Sequence, residues 1–199
     1  MEFSSRFFFL CASAPMVLVK LLRDTPLFAV GNLHAEEEEA ALIKVPFYCI
    51  LLHCLLCVLS SLPVSFWCAT HGGFDNGHPR ELKAKLTGFA HRLQAAHANT
   101  MEGLPIFLCS IYVAHGLQLE PVFLAKASAV AVVCRLLYLP LYYANIDMLR
   151  TYVFILWFSC CVLLMLAPLH PGIVAFFDPA AGASSPAGGR PGTSRNPSS

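Results

Sequence analysis

Long runs without charge set the pattern of this chain. No Asp, Glu, Lys or Arg falls between Lys44 and Asp75, and none falls between residues 151 and 177. A helix needs about 20 consecutive apolar residues to cross the hydrocarbon core of a bilayer. The pattern predicts four spans. Span one covers residues 45–68, with His53 its only ionisable side chain apart from thiols and one tyrosine. The loop after it, from His71 to Arg80, is dense in glycine, asparagine and proline and reads as turns. A long helix is then expected to start near Glu81. Its first half is polar on several faces, whereas residues 103–119 are apolar enough to enter the bilayer. Span three lies between Lys126 and Asp147, interrupted only by Arg135, and span four covers residues 152–169. Very short turns join spans two to four, so those neighbours must be antiparallel and in contact. The expected fold is an all-α integral membrane protein, a four-helix transmembrane bundle over residues 45–169.

The two ends are different material. Of the 21 residues from 179 to 199, 18 are Pro, Ala, Gly, Ser or Thr, a composition that cannot build a core, so this tail is expected to be disordered. Residues 1–44 form an N-terminal extension. Within it, residues 7–22 are apolar but contain Pro15 and Lys20, and read as a signal-like segment, a membrane-surface helix or a short extra span. Glutamates 36–39 follow and read as a solvated charge run.

Composition agrees with a membrane location. The chain is 57% hydrophobic and 13% charged, with a mean hydropathy of +0.63. Soluble domains carry roughly 25% charged residues. A net charge of +1 gives no reason to expect a nucleic-acid partner. Six of the nine cysteines (Cys49, Cys54, Cys57, Cys109, Cys134 and Cys160) lie inside apolar runs, where they act as small hydrophobes. Cys54 and Cys57 form a CxxC with no second pair at zinc-ribbon spacing, and no HxxxH or HExxH occurs, so no metal site is expected. Positive charge is asymmetric: Arg80, Lys83, Lys85 and Arg92 lie between spans one and two and Arg150 precedes span four, against Lys44 and Lys126 opposite. The positive-inside rule places the first and third loops in the cytosol.

Polar residues then converge on the cytosolic end. At about 100° per residue, Arg92 and Asn99 are nearly superimposed on their helix and Glu102 lies within a quarter turn of both. Arg135 and Tyr142 are likewise seven apart, with Tyr138 between them on the same side, and Arg150 and Thr151 open span four. Two readings of this convergence stand side by side. In one, Arg92, Glu102 and Arg135 pair to lock the helices, with Asn99 as interhelical glue. In the other, arginines, an amide and phenols form an anion-binding site open to the cytosol.

The stretch from His91 to Pro105 resembles the signature of the MAPEG family, the membrane-associated proteins in eicosanoid and glutathione metabolism. Arg92 stands seven before Asn99, Glu102 three after it and Pro105 three further on. Arg135, Tyr142 and Arg150 give a second match, and Gly73-Phe74-Asp75-Asn76 with Pro79-Arg80 is similar to the first loop of the bacterial-type branch. The resemblance covers about residues 45–166. It implies a homotrimer of four-helix subunits, in the endoplasmic reticulum or another endomembrane if the source is eukaryotic, with glutathione bound between subunits near the cytosolic face. It implies a transferase, peroxidase or isomerase acting on lipophilic electrophiles or lipid-derived substrates drawn from the membrane. Asn99, Glu102, Tyr138, Tyr142 and Arg150 fall where members contact glutathione. Arg150 would stabilise the thiolate, with Thr151 where a serine donor sits in the prostaglandin E synthase. A thiol of pKa about 8.5 becomes nucleophilic at neutral pH when a nearby cation favours its charged form. The chain departs from the pattern at Ala95, where characterised glutathione-using members usually carry arginine, at Ala98, arginine in some synthases, and at Phe154, often tyrosine. Many members also carry an arginine at the cytosolic end of span one, where this chain has only His71 and His78 ahead of Arg80. Those departures remove cations from the expected site. They keep open a second reading, a non-catalytic lipid-binding or scaffold protein of the same fold.

Overall fold

The computed structural model describes residues 35–71 and 77–177, together with the isolated positions 13, 17 and 20. Apart from those three positions, the apolar run at 7–22 lies outside the described residues, as do loop residues 72–76 and the tail at 179–199. Among the described residues every regular element is helical.

Helix α1 (Ala35–Leu59) begins ten residues before the expected start of span one and takes in the glutamates at 36–39. The span then breaks at Ser60 and resumes as α2 (Ser61–Thr70). Pro63 accounts for the break, because it has no N–H to donate to the carbonyl of Leu59. Ser60 sits in the gap, its hydroxyl donating 2.9 Å to the carbonyl of Cys57. The long helix expected from Glu81 is also divided. A short α3 (Pro79–Ala84) precedes α4 (Gly88–Gly116), and between them Thr87 is extended while Gly88 takes a left-handed φ of +59°. A glycine adopts that conformation without the steric cost a Cβ brings.

Two tight turns complete the core. After α4, Gln118 is left-handed (φ 57°) and the Leu119 N–H donates 2.9 Å back to the Ala114 carbonyl. The Glu120 carboxylate accepts from the N–H groups of Val122 (2.9 Å) and Phe123 (2.7 Å), capping α5 (Pro121–Tyr143). After α5 the device recurs. Asn145 is left-handed (φ 59°), and the Ile146 N–H donates 3.0 Å to the Leu141 carbonyl before α6 (Asp147–Leu166) begins. These six-to-one bonds satisfy carbonyls that each helix end would otherwise leave open. A 3₁₀ turn (Ala167–Leu169) and α7 (Pro171–Phe177) follow.

Helix α5 is the hub, packing against α1, α4 and α6, while α4 also contacts α1, α2 and α6. Ala125, Ala127, Ser128 and Ala131 on α5 are fully buried, and such small residues let helix backbones approach closely. Phe107, Ile111, Phe123, Trp157 and Leu164 fill the space between the helices. The outer surface is apolar too. Tyr48, Leu55, Val58, Phe66 and Tyr112 are exposed, an arrangement suited to lipid rather than water. Among the described residues, three helical stretches are long and apolar enough to cross a membrane: Ala41–Thr70, Pro121–Tyr143 and Asp147–Leu169.

Candidate functional site

Where α4, α5 and α6 meet, a cavity of about 210 Å³ opens between Asn99, Tyr138, Tyr142, Arg150, Thr151 and Phe154. Five of these are residues singled out from spacing alone, now brought together by packing. The α5–α6 turn does most of this work. By reversing the chain within a few residues it sets the Arg150 guanidinium 4.2 Å from the ring centre of Tyr142. Tyr138 stands edge-on to Tyr142, their ring centres 5.5 Å apart. The Thr151 hydroxyl donates 2.9 Å to the Asp147 carbonyl in its own helix, so it offers the cavity acceptor lone pairs.

Arg135 lies behind this lining, only 1% exposed. Its Nη1 donates 2.8 Å to Oδ1 of Asn99, while Nε and Nη2 are buried with no hydrogen-bond partner. A guanidinium can only donate, so the amide oxygen of Asn99 must face it, leaving the Asn99 NH₂ as the free end. The guanidinium lies flat on Trp157, 3.4 Å from its centroid, and 5.5 and 5.6 Å from the rings of Tyr138 and Phe154. Arg135 therefore touches three of the six cavity residues from behind. Gly103 makes this possible. A Cβ there would overlap Nη2 and Cζ of Arg135, so only glycine leaves room for the guanidinium against α4.

The other expected site residues are placed differently. Glu102 is exposed on α4 and is not part of the cavity lining. Arg92 donates from Nε to the Tyr143 carbonyl at 3.4 Å and stands 5.5 Å from the Phe89 ring. His53 is buried against Phe107, ring centres 5.2 Å apart, and neither ring nitrogen has a hydrogen-bond partner. Spacing did not single out Gly103 or Trp157. A signal existed for Trp157, since Arg150, Phe154 and Trp157 repeat at four and seven residues and so share a face. For Gly103 the only signal was its place four residues after Asn99.

Two further concavities flank the helices. One, of about 360 Å³, lies between α3 and α4 and is bordered by Arg80, Lys83, His91, Gln94, Ala95 and Ala98. The other, of about 440 Å³, is an apolar groove between α1 and α4 whose lining includes Phe47, Ile50, Leu108, Tyr112 and His115.

Apolar helices with lipid-suited outer faces fit an integral membrane protein, and the cavity between α4, α5 and α6 brings one arginine together with two phenols and an amide. The family model described as the MAPEG family matches residues 45–170, and the chain belongs to that family. No curated protein and no solved structure matches it. The matched region begins ten residues inside α1 and ends just past the 3₁₀ turn, so it holds every residue of the three concavities.

Proposed function

We propose that this protein is a membrane-embedded, glutathione-dependent transferase, peroxidase or isomerase acting on lipophilic electrophiles or lipid-derived substrates. The observation that carries this reading is the cavity between Asn99, Tyr142 and Arg150, backed by a buried arginine whose hydrogen-bonded partner is a neutral amide. Its donor set suits an anionic thiol peptide. Arg150 brings a permanent charge, Tyr138 and Tyr142 bring phenols, Asn99 brings an NH₂, and no carboxylate lines the space to repel an anion.

When bound, glutathione supplies the nucleophilic sulfur. The chain's own residues then act on charge. Arg150 favours the ionised form of a thiol beside it, which lets the proton leave to water at neutral pH. Arg135 adds a second positive charge from behind the lining, where the low dielectric makes it felt more strongly than at a surface. Tyr138, Phe154 and Trp157 keep water from that charge. Family membership further supports a trimer, four crossings with α4 as one of them, and an endomembrane location with the cavity on the cytosolic side. At 29 residues α4 would span roughly 43 Å, ample for a crossing.

Calorimetric titration of reduced glutathione into the detergent-purified protein, with Arg150→Ala beside it, tests the reading. Saturable binding that disappears in the variant is expected. No binding at millimolar glutathione would overturn it. A second reading, a lipid-binding or scaffold protein without catalysis, is favoured by the apolar groove beside Phe47 and Tyr112. Retention of a fatty acid or phospholipid with no thiol binding would bring it forward.

A further inference from the structure

The cleft between α3 and α4 has a composition that the chain's overall charge does not explain. Net charge is only +1, yet Arg80, Lys83 and His91 border one concavity of about 360 Å³, and no carboxylate is in its lining. A concave surface of one sign focuses its field and concentrates counter-ions. The cleft is also built rather than incidental. Gly88 folds α3 back beside α4, and Leu82 and Leu86 pin it by packing on Val64, Cys68 and Leu93. Arg80 and Lys83 thereby stand beside the small side chains of Ala95 and Ala98, which leave the volume open.

The cleft's place relative to the Asn99 cavity fixes what it can hold. Ala95 lies one turn before Asn99 on α4, about 6 Å along the axis and roughly 40° around it. The two concavities thus rest against consecutive turns of one helix. A tripeptide reaches about 10 Å end to end, so its central residue lies about 5 Å from either terminus, a separation comparable to one turn of α4. Of glutathione's two carboxylates, the one on the γ-glutamyl residue has an ammonium group beside it, which Arg80 and Lys83 would repel. The glycyl carboxylate is a bare anion.

We infer that Arg80 and Lys83 form a subsite for the glycyl carboxylate of glutathione while its thiol lies between Asn99 and Arg150. This rests on the glutathione reading given above. Cations on helix α3 here supply an anchor from outside α4, whose cleft positions nearest Asn99, Ala95 and Ala98, carry no charge.

The test uses calorimetry on the full chain in detergent. Titrants are glutathione and its glycyl monoethyl ester; proteins are wild type, Arg80→Ala/Lys83→Ala and Arg150→Ala. Loss of two charge-assisted contacts should weaken glutathione binding about tenfold or more in the double variant. The ester should bind wild type more weakly by a similar factor, and the double variant should no longer distinguish ester from acid. The charge-conserving Arg80→Lys/Lys83→Arg variant should retain most of the discrimination. If wild type binds glutathione and Arg150→Ala loses it, but the double variant binds as tightly as wild type or still rejects the ester, the subsite is refuted and the glutathione reading stands. If wild type binds no glutathione, both fall.

Discussion

Arg135 and Arg150 approach the same cavity from opposite sides and differ in nearly every other respect. Arg135 is sealed among α4, α5 and α6, with its hydrogen bond to Asn99, its flat face on Trp157 and its edge in the notch left by Gly103. Arg150 is half-buried at the start of α6 and lies over the ring of Tyr142 on the cavity side. One charge is fixed by three elements; the other is held by one aromatic neighbour. The difference teaches that a cation's role follows from how it is held. A charge enclosed by packing stabilises or destroys the fold, whereas a charge at a cavity rim acts on what enters.

Substitutions that separate these roles should differ in size accordingly. Gly103→Ala is expected to have the largest effect, because its Cβ and the Arg135 guanidinium claim the same space. Displacing a buried cation from its partners costs about 3–5 kcal/mol, read as a large fall in melting temperature in detergent. A normal melting temperature would show that Arg135 has room elsewhere. Arg135→Lys should come next. An ammonium loses the planar stack on Trp157, so thermal stability and glutathione affinity should fall together, by about 1–3 kcal/mol in stability. Arg150→Ala should abolish conjugation yet change the melting transition far less than the Arg135 substitution, by about 1 kcal/mol or less, because its charge sits at the cavity rim rather than sealed in packing. Equal damage to stability by both arginine variants would erase the contrast. Thr151→Val should be smallest, since its hydroxyl is already committed to the Asp147 carbonyl. Thiol affinity should change by less than about 1 kcal/mol, and a tenfold loss would give Thr151 a direct contact.

The spacing of polar residues made much of the cavity legible beforehand. Asn99, Tyr138, Tyr142, Arg150 and Thr151 repeat at intervals that place them on facing helix sides, and helical geometry alone brings such positions together. The breaks at Ser60 and Gly88 were harder to see. Hydropathy runs unbroken through residue 60, and the missing N–H of Pro63 matters only once a helix is assumed. The Gly103 notch was invisible for a deeper reason. What it does depends on the reach of a guanidinium from another helix, and nothing local to residue 103 carries that information. The clustering of Arg80 and Lys83 beside Ala95 likewise depends on the left-handed step at Gly88, which a periodicity argument treats as continuous helix.

The tight turn at Asn145 has a consequence for how the cavity comes into being during synthesis. Five of its six lining residues, from Tyr138 to Phe154, belong to one hairpin, and only Asn99 comes from a distant part of the chain. Contacts close in sequence form fast, while remote ones wait on loop closure. Asn99 leaves the ribosome first and has nothing to bind until the hairpin arrives with Arg135. The cavity is therefore expected to be completed in a single late docking event, and errors in the membrane insertion of this one hairpin would remove the site entire rather than weaken it by degrees.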